Sequence, residues 1–157
     1  KDIYKRLKKR RGFNPNLLSK FRKIQNTSIY KEIKNLTLLK YDSNSFLIGK
    51  YIEWEMNFLK HLGYGLNVNK CCVTGEFNNT FFISPKTGNA VNFEIGKKYA
   101  KNLFKIPKCM KENFKKNKYD DYKEALKITG YFFLKILENN KFKFIFRNQI
   151  INKLEGL

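Results

Sequence analysis

A mainly α domain, a helical bundle carrying a small β insert near residues 70–92, is predicted by three features of the sequence. Apolar residues recur at helical spacing on both sides of a central stretch. That stretch, CCVTGEFNNTFFISPKTGNAV, is instead rich in Thr, Phe, Ile and Val and is punctuated by turn residues. The 157 residues, 42% hydrophobic and 16% aromatic, suffice for one domain's core without disulfides. Residues 1–28 read as a basic segment, a junction or extension, and 29–157 as the domain proper, with its insert at 67–92.

Each element has its own signal. The segment KDIYKRLKKRRGFNPNLLSKFRKIQN breaks at Gly-Phe-Asn-Pro-Asn, which predicts a turn between two short pieces. Ile29, Ile33, Leu36 and Leu39 lie at helical spacing, with Thr27 or Ser28 as N-cap and Glu32 in the first turn. In SFLIGKYIEWEMNFLKHLGYG, Leu47, Tyr51, Trp54, Phe58 and Leu62 predict a core-facing stripe, ended by Gly63 or Gly65. The insert divides into two or three short strands at TGE, NN and PKTG. A helix is expected over EIGKKYAKNLFKI, stopping at Pro107. In DDYKEALKITGYFFLKILE, Tyr122, Leu126, Phe133 and Leu137 form one face, with Asp120 or Asp121 as the cap against the helix dipole. KFKFIFRNQIINKL alternates briefly and then reads as helix.

The formal charge is +20, from 33 basic and 13 acidic residues. Part of that excess follows from an Asn-, Ile- and Phe-rich, Ala-poor composition in which Lys rises whatever the function. The remainder implies a polyanionic partner. The charge is densest in residues 1–28, with ten basic residues against one acidic. Three cysteines, Cys71, Cys72 and Cys109, are too few for a secreted disulfide framework. The apolar runs are short and broken by lysine, so no membrane span is expected.

Catalytic constellations are missing from the pattern. There is no Gly-rich phosphate loop, His61 is the single histidine, and Glu53 and Glu55 face different sides of one helix. The expectation is a binding protein, not an enzyme.

Several ordered motifs resemble the RecO family of recombination mediators, in its alphaproteobacterial form. Trp54-Glu55 fill an aromatic-Glu pair, Leu62-Gly63-Tyr64 follow, and Ser84-Pro85-Lys86-Thr87-Gly88 supply the Ser-Pro-x-x-Gly turn. Arg147 falls on a recurrent arginine of the closing section. The resemblance covers about residues 29–157, the C-terminal helical domain, without the OB-fold domain with which RecO proteins begin. It implies DNA repair and homologous recombination: binding single- and double-stranded DNA, annealing strands, and helping to load RecA together with RecR and single-strand binding protein. A cytoplasmic, nucleoid-associated bacterial protein is the corresponding expectation. Many RecO proteins hold zinc in a four-cysteine site. Here Cys71 matches the first ligand, while Thr74, Asn92 and Ile95 occupy the other three positions, so the resemblance implies a degenerate finger whose zinc site is lost.

The candidate nucleic-acid contacts are Lys5, Arg6, Lys8, Lys9, Arg10, Arg11, Lys20, Arg22 and Lys23, then Lys115, Lys116 and Lys118, and finally Lys141, Lys143 and Arg147. Lysines and arginines neutralise phosphates and release counterions. For the acidic, apolar-ended tail of single-strand binding protein, the candidates are Lys50 and Trp54. The competing readings are a small basic RNA- or ribosome-binding protein, supported by composition, and a zinc or redox enzyme, supported by the cysteines.

Overall fold

The computed structural model describes residues 44–77, 79–111, 118–137, 147–149 and 151–152. The expected helix over 29–39 and the basic segment 1–28 lie outside them.

Two long helices, α1 (Asn44–His61) and α3 (Tyr119–Leu137), pack against one another. Between them lie β1 (Asn67–Cys71), β2 (Thr80–Ile83), β3 (Asn89–Asn92), the four-residue α2 (Phe93–Gly96), a 3-10 turn (Lys97–Asn102), and β4 (Phe104–Lys105). A second 3-10 turn, Lys108–Met110, starts behind Pro107. Residues 147–149 and 151–152 are also helical.

The buried line on α1 is Ile48, Ile52, Glu55, Leu59 and Leu62. Apart from Leu62, it lies one residue, about 100° of rotation, from the expected stripe. Leu47 is exposed, and Tyr51, Trp54 and Phe58 are half-buried against the flank of the core. A carboxylate in the middle of the true stripe hid it, because Glu55 interrupts the apolar pattern. The end of α1 is as the glycines suggested. Gly63, at φ +86°, donates to Lys60 O, and Tyr64 donates to Leu59 O. Those two bonds are a Schellman closure, which needs the left-handed residue that glycine supplies most easily.

On α3 the buried set is Tyr122, Ala125, Leu126, Ile128, Thr129, Phe132, Phe133 and Ile136, a face wide enough to meet both α1 and the insert. Asp120 and Asp121 lie in its first turn, and Asp121 N–H bonds to Lys118 O.

The insert holds three strands, as expected, and β4 from beyond its bounds joins them in a four-stranded sheet ordered β1-β3-β2-β4. β1 runs parallel to β3, and the other pairs are antiparallel. The hairpin β2–β3 closes over Ser84–Gly88 as the PKTG signal predicted: Ser84 N–H bonds to Asn89 O and Gly88 N–H to Ser84 O. Lys135 on α3 ties this turn down by donating to Pro85 O and Lys86 O. Val68, Ile83, Ala90 and Ile106 enter the same apolar cluster as α1 and α3. The opposite face buries Phe82 beneath Gly96, where a Cβ would stand 2.3 Å from the ring.

The helix expected over EIGKKYAKNLFKI is not continuous. After one turn of α2 the chain tightens into a 3-10 turn with a kink at Tyr99, and then extends so that β4 can pair with β2. Sheet completion overrides helical propensity here, since β2 would otherwise leave an unpaired edge.

Candidate nucleic-acid interface

Among the described residues the most elaborate polar arrangement is internal. Glu55 on α1 receives hydrogen bonds from the Tyr51 hydroxyl, the Thr129 hydroxyl on α3, and Arg147 Nε at 3.0 Å. Arg147 Nη2 also reaches Thr129 Oγ1 at 3.3 Å. Glu55 and Arg147 are 1% and 7% exposed. Burial pushes the Glu55 carboxyl up, and the Arg147 charge and three donors pull it back only in part. Burial, and then the Glu55 charge, raise Tyr51 in turn. Gly130 makes the room: a Cβ there would lie 2.7 Å from both terminal nitrogens of Arg147.

That geometry corrects one expectation. Arg147 is not a surface phosphate contact. Its guanidinium is sequestered against a carboxylate, and freeing it would strand a buried charge. Lys118 is exposed at the start of α3, beside Asp120 and Asp121. Lys5, Arg6, Lys8, Lys9, Arg10, Arg11, Lys20, Arg22, Lys23, Lys115, Lys116, Lys141 and Lys143 lie outside the described residues.

The two tail-binding candidates share α1. Lys50 Nζ pairs with Glu53 at 2.7 Å and lies 5.9 Å from the centre of the Phe46 ring. Trp54 stacks on Phe58 at 5.3 Å and meets Tyr51 at 5.7 Å, with Phe58 continuing to Phe133. Its indole Nε1–H is buried and has no acceptor among the described residues.

The four positions of the presumed finger do come together, though not as ligands. Cys71 Sγ accepts from Thr74 N–H at 3.5 Å and Asn92 N–H at 3.4 Å, while Asn92 Oδ1 accepts from Ile95 N–H at 3.0 Å and caps α2. Burial pushes the Cys71 thiol up, but the Thr74 hydroxyl and the backbone N–H groups of Thr74, Val73 and Asn92 outweigh it and bring it down to about 7. Cys72 is exposed, and Cys109 is remote, buried and pushed up to about 12 by burial and then by Asp121. A zinc ion needs about four N, S or O ligands. One thiolate with Thr, Asn and Ile around it does not fit that requirement, and among the described residues no group of three His, Cys, Asp or Glu converges.

Exposed lysines and aromatics are instead concentrated on the segment that follows β3. From Lys97 to Lys111 the chain has six lysines and no acid. Lys97 pairs with Glu94, and Lys111 turns inward to donate to Thr80 O. Lys98, Lys101, Lys105 and Lys108 are exposed and make no ion pair among the described residues. Phe93 and Tyr99 stand among them, 45% and 60% exposed. Sequence periodicity missed this group because EIGKKYAKNLFKI scores as an amphipathic helix, in which aromatics are assigned to the core.

A long-helix pair bracketing a small sheet, with exposed lysines and the buried Glu55–Arg147 pair, defines a small basic α-rich domain. The chain belongs to the RecO family: residues 19–143 match the family described as Recombination protein O C terminal. The DNA repair protein RecO of Ehrlichia chaffeensis is 35% identical over 112 residues, 68% of this chain and 46% of that protein. That of Wolbachia pipientis subsp. Culex pipiens is 37% identical over 107 residues, 65% of this chain and 44% of that protein. An uncharacterized Rickettsia prowazekii protein is 30% identical over 115 residues, 73% of this chain and 85% of that protein. The chain thus spans a little under half the length of the RecO proteins it matches. No solved structure matches it. Among the described residues no helix is long and apolar enough to cross a membrane.

Proposed function

We propose that this chain is a non-enzymatic DNA-binding part of a RecO-type recombination mediator. The observation that carries the reading is the match over residues 19–143 to the RecO C-terminal domain. In this reading it binds single- and double-stranded DNA through exposed lysines, assists annealing and RecA loading, and works with RecR and single-strand binding protein. The charge supports it: a +20 chain gains affinity for phosphate backbones by counterion release. Two features support a binding role over a catalytic one. His61 Nδ1 lies 2.8 Å from the Asn57 carbonyl on its own helix, and Asp120 and Asp121 serve the first turn of α3.

The tail of single-strand binding protein is assigned to α1 near Lys50 and Trp54. An acidic peptide would compete with Glu53 for Lys50, and movement of the flank would give the Trp54 N–H an acceptor. The insert is read as zinc-free, since Thr74, Asn92 and Ile95 stand where three of the family's four zinc ligands would be.

Fluorescence anisotropy of labelled DNA and of a labelled acidic tail peptide, each titrated with the full chain across a salt series, tests this reading. DNA affinity that falls steeply with salt, together with peptide binding weakened by Lys50→Ala, is expected. Binding of RNA in preference to DNA, with no peptide binding, would instead mark a basic RNA-binding protein.

A further inference from the structure

The group on the segment that follows β3 has no structural explanation in the fold. None of the six residues of the 3-10 turn Lys97–Asn102 is buried, so Tyr99 contributes nothing to the core. Phe93 is fixed without being covered: its ring meets Phe81 edge-on at 5.2 Å and lies nearly parallel to Phe82, 12° off, at 6.3 Å. Its backbone is pinned as well, with its N–H on Asn79 O. Lys105 brings its ammonium to 5.2 Å from the Phe81 ring, the same ring that supports Phe93. Exposed aromatic surface held rigidly among these lysines is costly to leave in water unless something uses it.

We propose that this face, with Phe93 and Tyr99 set among Lys98, Lys101 and Lys105, binds single-stranded nucleic acid. The complementarity is chemical. Three ammonium groups without an ion pair among the described residues suit a phosphate backbone, and exposed aromatic rings suit the faces of unpaired bases, which stack on them with little regard to sequence. An acidic peptide would satisfy the lysines and leave the rings without a matching flat partner. A duplex would satisfy the lysines but keeps its base faces inside its own stack. The pre-packing of Phe93 against Phe81 and Phe82 reduces the ordering cost of stacking, since that ring is already held in place. The site rests on the preceding reading for the existence of a nucleic-acid partner, but its position rests on these rings and lysines alone.

The test uses the full chain and fluorescein-labelled oligothymidylate, the corresponding ribo-oligomer, a duplex of equal length and inorganic polyphosphate, each read by anisotropy over a salt series. The double variant Phe93→Ala, Tyr99→Ala is expected to lose about tenfold in affinity for single strands. Its polyphosphate binding and salt slope should stay unchanged. Phe93→Trp with Tyr99 intact should bind single strands at least as tightly as the parent. Replacing Lys98, Lys101 and Lys105 by Gln should lower the slope of log K against log salt by about 2. Thermal melts of all variants confirm folding, and the substituted side chains are exposed. Preference for the deoxy- or the ribo-oligomer names the natural source, and either supports the site. Parental single-strand affinity in the aromatic variant, with DNA binding intact, overturns this site and leaves the family reading standing. Failure of the parent to bind any nucleic acid overturns both.

Discussion

At Gly130 an ordinary Cβ would stand 2.7 Å from both terminal nitrogens of Arg147, so the glycine and the arginine are two parts of one feature. Gly130→Ala is therefore expected to destabilise the parent but to be nearly silent once Arg147 is alanine, a coupling that a double-mutant cycle in urea measures directly. Arg147→Ala alone leaves Glu55 buried with its countercharge gone and should cost about 3–5 kcal/mol. Additive effects of the two substitutions would contradict the packing. Cys71 supplies a second residue-level prediction. Its thiol is brought from 9.0 to about 7 in the fold, so the thiolate form contributes stability that is present above pH 9 and lost as the pH falls through 7. Relative to Cys71→Ser, the parent should gain stability between pH 7 and pH 9, and thiolate absorbance in a chain with Cys72 and Cys109 replaced by Ser should titrate near 7. A midpoint above pH 8 would show that the donors do not hold the sulfur. The sequence identified Cys71 and placed Thr74 beside it, but not the backbone donors at Val73, Thr74 and Asn92, because N–H groups carry no signature in a list of side chains.

Helix ends and the hairpin turn were the most legible elements, since glycine at positive φ is a local requirement. Gly63 at +86° and Gly88 at +74° both close structures that the sequence placed correctly. Gly88→Ala should be the worse substitution. Both lose about 1–2 kcal/mol to the left-handed backbone, but a Cβ on residue 88 would also stand 3.2 Å from Leu66, so the melting temperature of Gly88→Ala should fall further than that of Gly63→Ala. What periodicity misjudged was orientation and continuity. Apart from Leu62, the buried line of α1 lies one residue from the expected stripe, because the carboxylate of Glu55 interrupts its apolar pattern. The segment after Asn92 was read as one helix because local pattern cannot register that β2 needs a neighbour at Phe104–Lys105. Both errors have the same origin: a long-range partner, Arg147 in one case and β2 in the other, overrides a local preference.

At the scale of the whole molecule, the family was legible because its motifs lie where the chain has special geometry: the Schellman glycine, the hairpin turn and the buried Glu55. The candidate binding surface was not, since net charge says that a polyanion is bound without saying where. A further prediction belongs here. If the insert holds itself by packing and by donors to Cys71, a strong zinc chelator should leave the melting temperature unchanged, and metal analysis of the purified chain should find no stoichiometric zinc. The Glu55–Arg147 bond spans 92 positions of sequence, and that span sets the order of events during synthesis. When α1 and α3 have both left the ribosome, the groove between them already contains a carboxylate with no cation to meet it. The helix pair cannot settle into its final packing until residue 147 emerges and inserts its guanidinium beside Gly130. The arginine acts as the last tumbler of a lock, and the final packing of the helix pair waits for it.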